Sequence, residues 1–392
     1  MAARHYGMDW LRIGAFGLLI LYHVGLVFGP WPYELKTRAP ANWVAIPLLF
    51  TNPWRLSLLF AISGYASAAL LDREGGRTGR VGRFVRGRLA RLGIPLLFGM
   101  AVIVTPQPWV AIVMQHGYAH GFGHFMLHDY FAFQKIGGVA MPTWMHLWFV
   151  VYLLVYTLVF AALLRLPARV RGGVASGAER VLAGPLLLPL PMLLLWAARS
   201  LPGGWTDTHA LFDDGVAHLV YLPMFLFGVL LRRSEALAAA IARQWPVALV
   251  LGLAGYAVLV GFEWRFPGNM PLPPWGRVPH NAARAVQAWG ITVALFGIAE
   301  RYWNRDGAWR ATLAEAVFPF YIIHQTIILV VGYWLLGTGA GALAEFAMLV
   351  AATAIGCWLF YLVGRRVGPL RPLIGLKRVS PSPPSPAAAS FP

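Results

Sequence analysis

The segment from Met8 to Phe28 reads MDWLRIGAFGLLILYHVGLVF, and it decides the fold class because it is long and almost entirely apolar. A helix of about 20 apolar residues spans the hydrocarbon core of a bilayer, and similar runs recur along the whole chain. Hydrophobic residues make up 58% of the 392 residues and charged residues only 12%, against about 25% charged in soluble domains. The sequence therefore predicts an all-α, polytopic membrane protein.

The apolar runs predict about ten transmembrane helices. They cover residues 10–29, 44–71, 92–114, 146–164, 181–198, 216–231, 246–262, 282–299, 313–335 and 342–364. With the N-terminus in the cytoplasm, 24 of the 32 Lys and Arg residues fall in cytoplasmic loops, as the positive-inside rule requires. We therefore predict that both termini are cytoplasmic and that residues 1–379 form one membrane domain. The tail at 380–392 is rich in Pro, Ser and Ala and should be disordered.

The formal net charge of +17 does not indicate a nucleic-acid partner. The basic residues cluster in short loops between apolar runs, so membrane topology accounts for them better. The single cysteine, Cys357, excludes an intramolecular disulfide and any multi-cysteine metal site. No small-residue cleavage site follows the first apolar run, so we expect that segment to remain as a helix in the lipid bilayer.

The first helix carries two polar side chains on one face. Arg12 and His23 are eleven residues apart, which places them within about 20° of the same direction and about 16 Å apart along the axis. Asp9 precedes Arg12 by one turn on that face. Ionisable groups at the depth of His23 are costly and usually face the protein interior or a wet cavity. The alternative is an arginine that reaches to the lipid headgroups and a histidine that bonds a neighbouring helix for structural reasons.

A run of arginines leads into the third apolar segment and ends with Arg88 and Arg91. Two guanidinium groups one turn apart can bind a phosphate-rich ligand, such as the nucleotide end of coenzyme A. For most arginines of this run, membrane anchoring or attraction to anionic lipids is the preferred explanation, and the ligand hypothesis concerns the last pair.

Two further histidines lie in apolar helices. His324 is about as far from the cytoplasmic start of its helix as His23 is from its own, so the two imidazoles should lie at similar depth. Pro319, five residues earlier, favours a kink that opens space beside His324. His146 begins the fourth helix at its outer end. An interhelical hydrogen bond is the alternative role for each, and it fits His146 better than His324.

Four histidines of the long outer loop, His116, His120, His124 and His128, are spaced by four residues. That spacing brings two imidazoles to one metal ion on a helix. Neighbouring glycines weaken a helix here, and residues at this spacing drift by about 40° per step, so four cannot converge. A polar stripe on an interfacial segment is the preferred interpretation, and we predict no metal site.

Several segments together resemble the membrane-bound acyltransferase-3 family. They are the Arg12–His23 helix, FAISGY at 60–65, RLARLGIP at 88–95, HLWFV at 146–150 and FPFYIIHQ at 318–325, and they occur in the family's order. YLPMFLFG at 221–228 and HLWFVVYLL at 146–154 look most like its glucan-modifying branch, the succinyltransferases of periplasmic glucans. The resemblance covers residues 9 to about 366.

This resemblance implies a multi-pass protein of the bacterial inner membrane that transfers an acetyl or succinyl group. The donor would be cytoplasmic acyl-CoA, used as a co-substrate without a permanently bound cofactor, and the acceptor a hydroxyl of an envelope or periplasmic carbohydrate. The resemblance assigns His23 as the catalytic histidine, Arg12 as its helix partner, and Arg88 with Arg91 as the paired arginines. Acyl-CoA would then bind through Arg88, Arg91 and Arg12. The acyl group, the acceptor and the oligomeric state stay open.

Four other residues complete the candidate site. His324 ranks second as a catalytic residue, and Asp9, Ser63 and His146 are supporting residues. Some family members carry a glutamate in a late helix, for which Glu345 is a candidate by position alone.

The chemistry of a buried histidine fits this role, since only a neutral imidazole can accept the proton of the acceptor hydroxyl. Pantetheine is long enough to run from phosphates at the cytoplasmic mouth to His23, and holding thioester and hydroxyl together would supply proximity. A transporter of sugars, lipids or organic anions is the competing class, because it too can use a kinked helix and buried histidines. It would have no use for acyl-CoA. A structural or sensory subunit would explain neither deep histidine.

Overall fold

The computed structural model of the protein describes residues 5–75, 79–202, 208–268 and 270–378. The described part is helical apart from turns, loops and one short antiparallel hairpin, β1 (Lys135–Ile136) and β2 (Val139–Ala140), in which Lys135 pairs with Ala140. The predicted disordered tail at 380–392 lies outside the described residues. The all-α prediction is confirmed.

Twelve longer helices make up most of the described part of the chain. The helices are α1 (Tyr6–Phe28), α2 (Ala45–Arg73), α3 (Arg80–Ile103), α4 (Pro106–His116), α5 (Trp148–Leu163), α6 (Ala168–Leu182), α7 (Pro189–Ser200), α8 (Gly215–Leu231), α9 (Glu235–Arg265), α10 (Pro274–Tyr302), α11 (Arg310–Leu335) and α12 (Ala342–Arg366). Shorter helical pieces lie at Asn42–Val44, Phe122–His124, Phe125–Asp129, Met145–Leu147, Pro185–Leu187 and Leu370–Leu373.

Seven helices of the described residues are long and apolar enough to cross a membrane. Two bent pairs, α3 with α4 at 45° and α6 with the helical stretch Pro185–Ser200 at 94°, raise this number to nine if each pair is one span. The apolar helix α8 is shorter, and it coincides with the predicted run at 216–231. The polytopic membrane architecture is thus confirmed, whereas the number ten and the side of each terminus stay predictions.

The bend in the third span has a local cause. Helix α3 contains two π-helical turns, Leu89–Gly93 and Gly99–Ile103, and Pro106 opens α4. A π-turn inserts an extra residue into the hydrogen-bond ladder and redirects the side chains that follow it. The first of these turns contains Arg91 and follows directly after Arg88.

Helices α2 and α8 cross with their backbones nearly in contact. A Cβ atom on Gly64 would lie 1.8 Å from the carbonyl oxygen of Phe225, and one on Gly228 would lie 1.8 Å from that of Ala61. Small residues at such crossings are typical of membrane helix packing, which depends on close approach rather than on hydrophobic burial. The segments FAISGY and YLPMFLFG therefore form one tight helix pair.

Helix α1 lies between this pair and α11. On one side the guanidinium of Arg55 in α2 covers the ring of Tyr22. On the other side Phe16 packs edge-to-face on Tyr321 of α11, with ring centroids 5.5 Å apart. The polar side chains of α1, α2 and α11 consequently meet in the interior of the bundle.

Candidate functional site

Two histidines from different helices form the centre of the candidate site. His23 Nδ1 of α1 lies 2.9 Å from His324 Nε2 of α11, and their rings stack with centroids 5.1 Å apart. His324 is completely buried at 0% exposure. The prediction that the two imidazoles lie at similar depth is confirmed by this direct contact.

The hydrogen-bond pattern fixes where the protons of the pair reside. His324 Nδ1 lies 2.7 Å from the carbonyl oxygen of Tyr321, which can only accept, so Nδ1 carries a proton. In the neutral ring, His324 Nε2 then accepts a hydrogen bond from His23 Nδ1–H. The remaining nitrogen of His23, Nε2, keeps its lone pair. Such a nitrogen can take a proton from a hydroxyl group.

A second group of hydrogen bonds joins α11 to His146 and Gln107 next to the histidine pair. His146 Nε2 donates to the carbonyl oxygens of Tyr321 and Ile322, both at 3.1 Å. Its Nδ1 lies 3.1 Å from Gln107 Nε2, which also donates to Thr326 Oγ1 at 2.7 Å. His146 therefore makes the interhelical hydrogen bonds favoured for it, and it does so with the carbonyl group that orients His324.

The loop that follows α1 covers one side of the histidine pair. The ring of Tyr33 lies parallel to that of His23, with centroids 6.2 Å apart. The Lys36 ammonium donates to three carbonyl oxygens at the end of α1 and just beyond it, and partial burial lowers the pKa of Lys36 to about 8. Burial raises the pKa of Glu34, one of whose carboxylate oxygens is buried without a hydrogen bond. The loop thus shields the site from bulk water and brings polar groups to its edge.

Arg12 and Asp9 belong to an ionic network at the opposite end of α1. Arg12 Nη2 lies 3.4 Å from Asp9 Oδ1 and donates to the carbonyl oxygen of Ala314 at 3.0 Å. Asp9 Oδ2 also pairs with Arg310 at 2.8 Å, and Arg310 pairs with Asp306 at 2.6 Å. These contacts join the start of α1 to the start of α11, and so they set the register that brings His23 beside His324.

Arg88 and Arg91 line a cavity of about 430 Å³ at the end of the bundle where α2 ends and α3 begins. Arg88 is only 9% exposed and its Nε has no hydrogen-bond partner. The cavity wall also includes Lys377 and Arg378 from the C-terminal segment. Most of its charged lining is positive, which suits a ligand with several phosphate groups.

Arg12 does not line this cavity. The structure therefore brings Arg88 and Arg91 together with each other but not with Arg12, and the contact of Arg12 with acyl-CoA stays a prediction. Its observed partners instead make it part of the α1–α11 interface.

The other candidates are Ser63, Glu345 and the loop histidines. Ser63 is partly buried in α2, and its carbonyl oxygen accepts from Ser67 Oγ at 2.8 Å. Glu345 is buried in the first turn of α12. In the segment between α4 and α5, the rings of His120 and His124 stack with centroids 4.2 Å apart. Within the described residues no group of three metal-ligating side chains gathers.

Sequence reasoning missed several groups around the pair, above all Arg55, Gln107 and Tyr33. Arg55 has a signal in the sequence, because it is the single charged residue in the apolar run from 45 to 71. The other two have none, since a glutamine or a tyrosine near a helix end is common. Only their contacts across helices reveal them.

Comparison with known proteins gives the chain a family context. Residues 5–362 match the family model described as "Acyltransferase domain". The curated relatives include "Glucans biosynthesis protein C" of Salmonella schwarzengrund (strain CVM19633), 29% identical over 106 residues, and that of Salmonella heidelberg (strain SL476), 28% identical over 106 residues. Each match spans 27% of this chain and 26% of the relative, so it covers about a quarter of either protein. No solved structure matches the chain.

Proposed function

The chain belongs to the acyltransferase domain family, whose model it matches over residues 5–362, and from that premise we propose that it is a membrane O-acyltransferase. It moves an acetyl or succinyl group from cytoplasmic acyl-CoA to a hydroxyl of an envelope or periplasmic carbohydrate. The glucan-related name of the curated relatives supports a carbohydrate acceptor. The site of action is the bacterial inner membrane.

One observation carries the mechanism, namely the 2.9 Å contact between His23 Nδ1 and His324 Nε2. Because this contact occupies Nδ1, the unprotonated Nε2 of His23 is the atom that receives the acceptor's proton. His324 holds the His23 ring in this tautomer and stabilises the imidazolium that forms, as an orienting partner does in other acyl-transfer sites. His23 is the general base and His324 the positioning residue.

The reaction then proceeds by addition and elimination. The acceptor oxygen attacks the thioester carbonyl carbon while its proton moves to His23 Nε2, and a C–O bond forms. The tetrahedral intermediate expels the thiolate of coenzyme A as the C–S bond breaks, and the proton on His23 passes to that sulfur. His23 returns to its neutral form, so atoms and charge balance without a cofactor.

The donor fits the charge distribution of the bundle. Arg88 and Arg91, with Lys377 and Arg378, bind the phosphates at the cavity, and the pantetheine arm extends from there toward the histidines. The phosphates and the reacting acyl group are then bound at different positions along the helix axis. It also leaves the covered outer side, beneath Tyr33, for the acceptor.

Isotope-labelled acyl-CoA added to inside-out membrane vesicles tests the proposal. We expect label to appear in envelope carbohydrate as an alkali-labile ester, and only in vesicles from cells that carry the gene. Mass spectrometry of their glycans should show the matching mass increment. Transport of a solute without consumption of acyl-CoA would show that the protein is a transporter instead.

A further inference from the structure

Arg55 is a buried cation close to the histidine pair. It lies in α2 at 3% exposure, and its guanidinium carbon is 3.8 Å from the ring centroid of Tyr22. Tyr22 precedes His23 in α1, and the two rings are 5.8 Å apart. Arg55 therefore contacts the residue next to the proposed general base.

No carboxylate among the described residues forms an ion pair with Arg55. Its contacts are with neutral groups: the guanidinium lies over the ring of Tyr22, and Nη1 lies 3.4 Å from Thr51 Oγ1. The Nε atom of Arg55 is buried with no hydrogen bond. The Nε donor of Arg55 is therefore unmatched, and no negative charge balances the guanidinium among the contacts described.

Another buried arginine shows how the chain satisfies such a charge elsewhere. Arg310 is 4% exposed and pairs with two carboxylates, Asp9 at 2.8 Å and Asp306 at 2.6 Å. An unpaired buried charge costs several kcal/mol unless hydrogen bonds and an opposite charge compensate it. Charged residues in membrane interiors are for this reason usually functional. The contrast indicates that the counter-charge of Arg55 arrives with a ligand.

We propose that Arg55 binds an anionic oxygen of the reacting acyl group, an inference that rests on the proposed acyl transfer. Phosphate is a poor alternative, because the cluster that suits phosphates surrounds Arg88 and Arg91 at the end of the bundle. An acyl group whose carbonyl carbon lies beside His23 places its oxygens near the guanidinium. A negative charge on the acyl group can reside at either of two positions.

The first source is the carbonyl oxygen itself. When the acceptor oxygen attacks, the carbonyl π electrons move onto that oxygen, and a guanidinium group stabilises the resulting oxyanion until the C–S bond breaks. The second source is a carboxylate at the far end of a dicarboxylic acyl group. A four-carbon group of this kind is about 5 Å long, and its carboxylate undergoes no bond change.

Two acyl-CoA donors of similar size distinguish the oxyanion from the terminal carboxylate as the group that Arg55 binds. Butyryl-CoA and succinyl-CoA differ in the terminal group, which is a methyl in one and a carboxylate in the other. The affinity of the full-length protein in nanodiscs and the transfer rate in inside-out vesicles are measured for wild type, Arg55→Gln and Arg55→Lys. Arg38→Gln, at an exposed loop arginine, is the matched control.

If Arg55 binds the oxyanion, Arg55→Gln lowers the transfer rate of both donors at least about 100-fold with affinities within threefold of wild type. If it binds the acyl carboxylate, Arg55→Gln weakens succinyl-CoA at least about tenfold and leaves butyryl-CoA within threefold. In either case Arg55→Lys, which keeps the charge, retains more of the affected quantity than Arg55→Gln.

Other outcomes overturn the assignment. Arg55→Gln could keep both its transfer rates and its donor affinities within threefold of wild type. Alternatively, Arg55→Lys and Arg55→Gln could lose affinity for both donors equally. Either result would show that Arg55 only packs against Tyr22. Either result, with a wild-type protein that transfers acyl groups, contradicts this inference alone. A wild-type protein that transfers neither donor would contradict the proposed function and this inference together.

Discussion

In the proposed mechanism the reaction depends most on His23, because its Nε2 is the one nitrogen of the histidine pair left with a free lone pair. Loss of a general base typically lowers a rate about 10²–10⁴-fold without changing donor affinity. We therefore expect His23→Ala and His23→Gln to lose transfer while the purified protein still binds acyl-CoA. Transfer in membranes, normalised to folded protein, measures the effect. Near-normal transfer by His23→Gln would show that His23 is structural.

In the proposed mechanism His324 acts on the substrate only through His23. Its replacement by Ala removes the acceptor of the His23 Nδ1–H bond and lets the ring rotate or change tautomer. We expect the transfer rate to fall about 10²-fold, with donor affinity unchanged. His324→Gln keeps an acceptor near the same place and should recover part of the rate. Full turnover by a correctly folded His324→Ala protein contradicts this role.

Single residues show how far the sequence alone reaches. Polar groups deep in apolar helices, such as His23 and His324, are visible as costly exceptions, and their depth follows from helix geometry. Their direct contact is not visible, because it depends on which helices are neighbours. The roles of the Tyr321 carbonyl and of the Gln107 amide are not visible either. Every residue has a backbone carbonyl, and glutamine is a common residue.

The positions of most helices are predictable from the apolar runs of the sequence, whereas the bends within them are not. The predicted span at 92–114 corresponds to α3 and α4, which start earlier and bend by 45°. Hydropathy reports only how apolar a segment is, so a π-turn inside the segment leaves no trace in it. The bend matters because the π-turn Leu89–Gly93 sets the direction of Arg91 beside the cavity.

The α2–α8 crossing makes a prediction about stability. Gly64→Ala would place a methyl group 1.8 Å from a backbone oxygen of α8, so the helices must separate. We expect a loss of about 1–3 kcal/mol in the free energy of unfolding, the usual cost of overpacking. Gly14→Ala is the control, because nothing lies within 4 Å of a Cβ atom there. Thermal unfolding in detergent compares the two, and equal midpoints would contradict the close crossing.

The arginines at the end of α2 and in α3 differ in their surroundings, and this predicts different effects on donor binding. Arg88 and Arg91 line the cavity, whereas Arg73 and Arg80 do not. Each charge-assisted hydrogen bond to a phosphate is worth about 1.5–3 kcal/mol, so Arg88→Ala with Arg91→Ala should weaken acyl-CoA binding more than tenfold. Arg73→Ala with Arg80→Ala should leave the affinity within threefold. Equal losses in titrations with acyl-CoA would mean that the whole run only anchors the helix.

For the molecule as a whole, contacts between loops divide the helix ends into two groups. At one end Asp72 pairs with Arg233 at 3.3 Å, and Arg88 shares its cavity with Arg378. At the other end Gln115 donates to the carbonyl oxygen of Glu34 at 3.2 Å. The first group carries most of the arginines and the second holds the cover of the histidine pair. The cavity lined by Arg88 and the covered histidine pair therefore belong to opposite ends of the bundle.

This division supports a topology prediction that the basic residues alone had suggested. Arg378 lines the same cavity as Arg88, so the end of the described chain and the arginine run lie at the same end of the bundle. Since an arginine-rich loop stays in the cytoplasm, a reporter fused after Arg378 should be cytoplasmic, and one inserted near His120 should be external. Alkaline phosphatase and fluorescent protein fusions report the two sides in living cells. If both positions lie on one side, the ten-helix topology is wrong, and the donor and acceptor could no longer approach the histidine pair from opposite faces of the membrane.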